Sequence, residues 1–313
     1  MKKNLRRFLL KLLINTKSFR FRESIVIFSE KRSGSTWLFE MLNNHQGCVP
    51  QFEPLNGSGP FSLQFNYWPK FEFNRNVSKN SQLFIFKKLL EFKLYSSYTT
   101  QFCRIRDIMF GKFVLTKFVG LGDFPIWILE NFKFKKTPIF LIRNPIDVSV
   151  SQLKTFEKYY KESDQEEIIR QLSLLKNIDP NSFHHFKSRL ERQIIIFFLR
   201  NVDVLKCSIT RSKSILIYYE NIILNPQKEL SKIFKEHNTS DQDICAILNH
   251  DFEFPSRSDF NKEYKLNKQD QLLKNYHSLN DVEKQSIQAI YDFFNFDLYS
   301  SKSPFPIIDR NKE

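Results

Sequence analysis

Cysteine is scarce in this sequence and scattered. Cys48, Cys103, Cys207 and Cys245 are the only four in 313 residues, and no two form a C-x-x-C pair. That excludes a disulfide framework and a zinc-ribbon site and suggests a reducing, cytoplasmic setting. The six histidines show no ligand spacing either, so no metal is expected. No apolar run approaches the ~20 residues needed to cross a bilayer. No small-residue cleavage site follows the basic N-terminus, so neither a membrane span nor a signal peptide is expected. Acidic residues are the minority: 48 Lys and Arg against 34 Asp and Glu leave a net charge of +14. The cations recur along the whole chain without an aromatic-interleaved arginine block, which argues against a nucleic-acid partner. A basic pocket for a multiply anionic ligand, with an anionic acceptor or membrane surface, accounts for the balance. What is plentiful is apolar matter, 41% of residues, including 34 Phe. This is ample for the core of one large domain or two small ones, and it excludes a disordered chain.

The sharpest local signal lies in Ser24 to Asn44. Ile25-Val26-Ile27-Phe28 reads as a short buried strand, and Thr36, Trp37, Leu38, Phe39, Met41 and Leu42 give an apolar stripe at helical spacing. Between them lies a tight polar loop, Ser29 to Ser35. A strand, a polar loop and a helix N-terminus make an anion site, because the first N–H groups of the helix lack partners and the positive end of its dipole faces the loop. Ser33, Ser35 and Thr36 add hydroxyls, and Lys31 and Arg32 add charge. The Walker pattern G-x-x-x-x-G-K-[ST] does not fit, since the first glycine is missing and the cation precedes Gly34.

A second signal is Pro138 to Ser151. The apolar run Ile139 to Ile142 predicts a strand, Asn144 suits a cap, and Pro145 suits the first helical turn. Arg143 then stands at a strand C-terminus, where open α/β sheets bind ligands, and Ser151 lies two turns into the next helix on the same side. An arginine fork with a hydroxyl suits a phosphate monoester. Strands near 24–29, 113–118, 137–142 and 214–219, separated by helical stretches, predict an α/β fold: a central parallel sheet flanked by helices in three layers, P-loop-like. Three further residues are read singly. Pro54 keeps Glu53 on an extended segment, Lys117 is a site cation or a rim lysine, and His45 is a turn residue.

Arg32-Ser33-Gly34-Ser35-Thr36-Trp37 resembles, position by position, the 5′-phosphosulfate loop of sulfotransferases that use 3′-phosphoadenosine 5′-phosphosulfate (PAPS). Arg143-x-Pro145 with Ser151 resembles their 3′-phosphate motif, and Tyr219-Glu220-Asn221 with Pro226 their Tyr-Glu-Asp-Leu…Pro segment. Glu53-Pro54-Leu55 after the Leu42-to-His45 turn resembles the carbohydrate sulfotransferases in particular. The resemblance runs from about Glu23 to Tyr299 and implies transfer of a sulfuryl group from PAPS to an acceptor hydroxyl. It implies that Arg32, Ser33, Gly34, Ser35 and Thr36 hold the 5′-phosphosulfate, with Arg32 also stabilising the leaving oxygen. Arg143 and Ser151 would hold the 3′-phosphate, Trp37 and Tyr219 flank adenine, and Ser256 and Arg257 belong to a loop that closes over the nucleotide. Glu53 would be the general base. Gln46, Gly120 and Asn221 depart from the family pattern, which has Pro, Arg and Asp there. The acceptor stays open among glycans, glycolipids and small alcohols. A P-loop-type nucleotide kinase or NTPase and a non-catalytic glycan- or anion-binding relative remain as alternatives.

The expected organisation is a basic amphipathic segment at 1–22, a catalytic domain at 23–300 and a tail at 301–313. An insertion on the acceptor side is expected at 56–112, where Tyr67 and Trp68 are candidate sugar-stacking aromatics. The segment 1–20 is either a helix packed on the domain or a peripheral membrane-surface helix.

Overall fold

A computed structural model describes residues 2–56, 65–66, 72–73, 78–120, 122–156, 162–239, 244 and 268–307. Strands β1 (Ile25–Ser29), β2 (Cys48–Phe52), β5 (Phe113–Val119), β6 (Ile139–Ile142) and β7 (Ile215–Tyr218) form one sheet in the order β2-β5-β1-β6-β7. Every pairing in it is parallel. Two-residue strands β3 (Phe65–Asn66) and β4 (Glu72–Phe73) pair antiparallel apart from it.

Both faces of the sheet are covered, as parallel sheets require, and the period-2 alternation of the strands sorts their side chains between the two. Val26, Phe28, Phe118, Phe140 and Ile142 share one core cluster with Ile128 and Leu129 of the helix Phe124–Asn131 and with Ile194 to Leu199 of the helix Arg189–Lys206. Ile25, Ile27, Leu115, Leu141 and Ile217 share another with Leu38, Phe39 and Leu42 of the helix Ser35–Leu42 and with Leu230, Ile233 and Phe234 of the helix Pro226–Glu236. A third cluster joins Val49 and Val114 to Leu10 and Ile14 of the N-terminal helix Lys2–Thr16. That helix therefore packs on the domain through Leu10 and Ile14, and Lys93 Nζ ties its C-terminal end by donating to the carbonyls of Ile14 and Lys17. Among the described residues, no helix is long and apolar enough to cross a membrane.

Four strands are legible in the sequence; the fifth, β2, carries Pro50 and reads only as an extended segment. It forms because it is the edge of the sheet, pairing on one side alone with β5, and an edge tolerates a residue without an N–H. The sheet order reverses at β1. From β1 the chain crosses past β5 to β2, and from β6 it steps the other way to β7. Connections leaving in opposite directions open a crevice at the C-terminal ends of β1 and β6. The helices after these strands, Ser35–Leu42 and Pro145–Phe156, start at that crevice.

Candidate active site

The loop leaving β1 holds its shape through two left-handed residues, Arg32 (φ 70°) and Gly34 (φ 83°). Ser33 between them donates its N–H to the Glu30 carbonyl at 3.3 Å. Conformations that alternate in hand turn successive N–H groups toward one side and make an anion-binding concavity. Gly34 is the N-cap of the helix Ser35–Leu42, whose first N–H groups face the loop without helical partners. Only glycine serves at this position. A Cβ there would lie 2.1 Å from Cε2 and 2.4 Å from Cδ2 of the Tyr219 ring. Ser33, Ser35 and Thr36 are all buried. Trp37 is buried too, in the core cluster that also holds Tyr219.

The second motif meets the first directly. Arg32 Nε donates to Ser151 Oγ at 3.0 Å, and Arg143 Nη1 donates to the Arg32 carbonyl at 3.1 Å. The Arg143 guanidinium lies 4.4 Å from the Tyr219 ring centroid and 3.7 Å from the Asp147 carboxylate, which accepts a further bond from Asn275 Nδ2 at 2.8 Å. Burial opposes the charge on Arg143, but Asp147, Tyr219, Glu220 and Tyr299 outweigh it and hold its pKa above the ordinary arginine value. Arg32, Ser33 to Thr36, Arg143, Ser151 and Tyr219 thus converge on one end of the sheet.

Two buried polar networks brace this junction, and neither is readable from local sequence. Gln152, the neighbour of Ser151, donates from Nε2 to Glu30 Oε1 at 3.2 Å and to the Lys31 carbonyl at 3.0 Å. Its own oxygen accepts from Gln193 Nε2 at 2.7 Å, which ties the loop to the helix Arg189–Lys206. On the other side, Glu220 accepts from the Asn144 N–H at 2.9 Å and from the Tyr299 hydroxyl at 2.6 Å, while Asn144 Nδ2 donates to the Pro304 carbonyl. Burial raises the Glu220 pKa to about 7 against these bonds and the Arg143 charge, all of which pull it down. Arg143 therefore sits on a platform fixed by the chain's C-terminal segment.

Glu53 follows β2 directly. It is not extended as Pro54 suggests, but has φ 40°, because three groups seize its carboxylate. Lys117 Nζ lies 2.9 Å from Oε1, and Tyr98 Oη and Asn56 Nδ2 donate to Oε2 at 2.8 and 3.1 Å. Lys117, only 1% exposed, also donates to Thr36 Oγ1 at 2.8 Å and stands 4.2 Å from the Phe52 ring centroid. It is a buried cation linking the anion loop to Glu53, not a rim lysine. Burial lowers its pKa despite the opposing pull of Glu53. Tyr98 and Asn56 were not legible as Glu53 partners; the only hint is the Ser/Thr-rich turn around Tyr98, where Ser96, Thr99 and Thr100 bond one another's backbone.

Gly120, at the position where the resemblance has arginine, has φ 64°, and a Cβ there would meet the Lys31 side chain at 3.0 Å. The Lys31 stem occupies that space. His45 lies near the starts of β2 and β5, at the opposite end of the sheet, its ring edge-on to Phe113 at 4.9 Å, and serves the turn as expected. Ser256 and Arg257, with Tyr67 and Trp68, lie outside the described residues. Among the described residues, no group of three or more His, Cys, Asp or Glu is arranged to hold a metal ion.

A family model, the sulfotransferase domain, matches residues 22–300. Among solved structures, the chain is similar to a sulfotransferase domain from the curacin biosynthetic pathway, with 18% identity and a TM-score of 0.47 over 90% of this chain and 100% of that one. A sulfotransferase from Alicyclobacillus acidocaldarius is 10% identical with a TM-score of 0.36, covering 90% of this chain and 99% of that one. A mouse sulfotransferase complexed with PAP is 13% identical with a TM-score of 0.34, covering 91% and 93%. No curated protein matches the chain.

Proposed function

The chain belongs to the sulfotransferase domain family, and on that premise we propose that it moves a sulfuryl group from PAPS to a hydroxyl of a carbohydrate or glycan. The observation that carries the reading is the meeting of the two anion motifs: Arg143 reaches the Arg32 carbonyl at 3.1 Å and Arg32 reaches Ser151 at 3.0 Å. A nucleotide with anionic groups at both its 3′ and 5′ positions needs two such cationic ends at one mouth. The donor set fits it: a left-handed loop with convergent N–H groups on one side, a buried arginine raised in pKa on the other, and the Tyr219 ring between them.

PAPS, when bound, supplies a sulfuryl group on a phosphate leaving group. Arg32 and the amides of Ser33 to Thr36 hold the 5′ end and stabilise the charge that develops on the leaving oxygen, a task met by preorganised donors. Arg143 and Ser151 hold the 3′-phosphate, and Tyr219 and Trp37 flank adenine. Glu53 accepts the proton of the acceptor hydroxyl. Lys117 fixes the Glu53 carboxylate and the Thr36 hydroxyl in one frame, so the base and the loop keep a set distance.

Incubation with sulfur-labelled PAPS and a panel of glycan, glycolipid and small-alcohol acceptors tests the reading. Transfer of label to a sugar hydroxyl, with tighter binding of the 3′-phosphorylated nucleotide than of its 3′-hydroxyl counterpart, is expected. Magnesium-dependent turnover of ATP without transfer from PAPS would overturn it in favour of a kinase or NTPase.

A further inference from the structure

The N-terminal helix buries Leu10 and Ile14 but turns a second apolar stripe outward. Leu5, Phe8 and Leu12 are 59%, 64% and 53% exposed. At 100° per residue they fall within about 60° of one another on the helix surface. The short helix Ile105–Met109 packs against this helix, sharing its core cluster through Ile108, and ends in Met109 and Phe110, the latter 71% exposed. Five large apolar side chains on two neighbouring elements therefore face solvent.

Their charge setting is equally lopsided. Residues 1–22 hold eight Lys and Arg and no Asp or Glu, and residues 104–112 hold three Lys and Arg and one Asp. These 31 residues carry ten of the chain's fourteen net positive charges. The cations recur throughout the sequence, but elsewhere acids nearly cancel them. Lys11, Arg20, Arg104, Arg106 and Lys112 of this region are exposed.

We infer that this face is a docking surface for an anionic phospholipid bilayer. Asp107, the one acid among these cations, pairs with Arg104 at 3.1 Å and Arg106 at 3.9 Å. Exposed Phe and Leu beside the large remaining excess of Lys and Arg match a lipid interface, where apolar side chains enter the acyl boundary and cations meet headgroup phosphates. A nucleic acid would use the charge but leave the aliphatic stripe without a partner. Phe110 precedes β5, whose seven residues span roughly 23 Å. The surface therefore lies at the opposite end of that strand from the mouth formed by Arg32 and Arg143, and docking leaves the mouth open to water. The inference does not rest on sulfuryl transfer.

Co-sedimentation of the full chain with phosphatidylcholine vesicles, with and without phosphatidylserine, tests it. Binding to the anionic vesicles alone, weakening as salt rises, is expected. The double variant Phe8→Ser with Phe110→Ser should bind them at least about tenfold more weakly, with melting temperature and nucleotide affinity unchanged. Lys11→Glu with Arg106→Glu should weaken binding likewise. Equal sedimentation of wild type and the serine variant would overturn the proposal, as would equal binding to neutral vesicles. So would a serine variant that converts a dimer to a monomer while vesicle binding persists, which would assign the face to a second copy of the chain. Tight duplex-DNA binding without vesicle binding would assign it to nucleic acid.

Discussion

Around Arg143 the site is made from two short stretches that each carry their own geometry; around Lys117 it is made from single side chains contributed by distant segments. On the proposed nucleotide side, a left-handed turn, a helix start and a strand end supply the donors, and bonds from Arg32 to Ser151, from Arg143 to Arg32 and from Gln152 to Glu30 and Lys31 join the two stretches. On the proposed acceptor side, Thr36, Glu53, Asn56, Tyr98 and Lys117 meet chiefly through their side chains. The first half is backbone-defined and tolerates loss of one side chain; the second depends on a buried ion pair whose members satisfy each other. Changes on the nucleotide side should therefore move ligand affinity, and changes on the acceptor side should move turnover and stability together.

The largest expected effect comes from breaking the ion pair. Lys117→Met leaves the Glu53 carboxylate without its cation and should cost about 3–5 kcal/mol of folding stability. Combining Lys117→Met with Glu53→Gln should recover most of that loss in a denaturant titration while leaving turnover abolished. If the double variant is as unstable as the sum of the singles, the pair is not the unit that holds this half together. Next, Glu53→Gln alone should lower turnover roughly a hundredfold or more with nucleotide affinity retained. Unchanged single-turnover rates would remove Glu53 as the base and blur the division between the halves.

Arg143→Ala should weaken PAP binding by about tenfold to a hundredfold, the worth of charge-assisted hydrogen bonds. It should also erase discrimination between nucleotides with and without the 3′-phosphate, as read by calorimetry. If that discrimination survives, the two motifs do not grip one ligand.

The smallest effect is a pH dependence of the platform under Arg143. Glu220 has a folded pKa raised from 4.5 to about 7 by burial, so the folded state holds a proton that the unfolded chain has lost above pH 4.5. Its contribution is full below the unfolded value and disappears as pH rises through 7, which amounts to about 1 kcal/mol between pH 6 and pH 8. Melting temperatures should fall over that interval, and Glu220→Gln should flatten the fall. His237, whose pKa burial lowers from 6.5 to about 4, acts the opposite way as its unfolded form takes up a proton toward pH 6, so the Glu220 effect is read as the difference between wild type and the Gln variant over this interval. An unaltered slope in the Gln variant would place the titrating group elsewhere.

The legible part of the molecule is the part where sequence neighbours are also spatial neighbours. Ile25 to Leu42 and Ile139 to Ser151 each encode a strand, a turn and a helix start in one run, so residue order alone predicts an anion loop and an arginine at a sheet mouth. Other features were hidden because they depend on chain closure. Pro50 hides β2 until its place at the sheet edge is known. Glu53 takes a left-handed conformation that its proline neighbour disfavours, because Lys117, Tyr98 and Asn56 hold its carboxylate. Gln152 looks like any helix residue until Glu30 and Gln193 are seen on either side of it.

Sequence by itself determined the α/β class and the two strand–turn–helix stretches that carry Arg32 and Arg143, because hydrophobic period and turn chemistry act over a few residues. Tertiary structure alone decided that Lys117 is buried between Thr36 and Glu53, that the C-terminal segment braces Arg143 through Glu220, and that the helix before Phe110 packs beside the basic N-terminal helix. Those outcomes join residues tens to over a hundred positions apart, and such pairings exist only once the packed sheet has brought them within reach of one another.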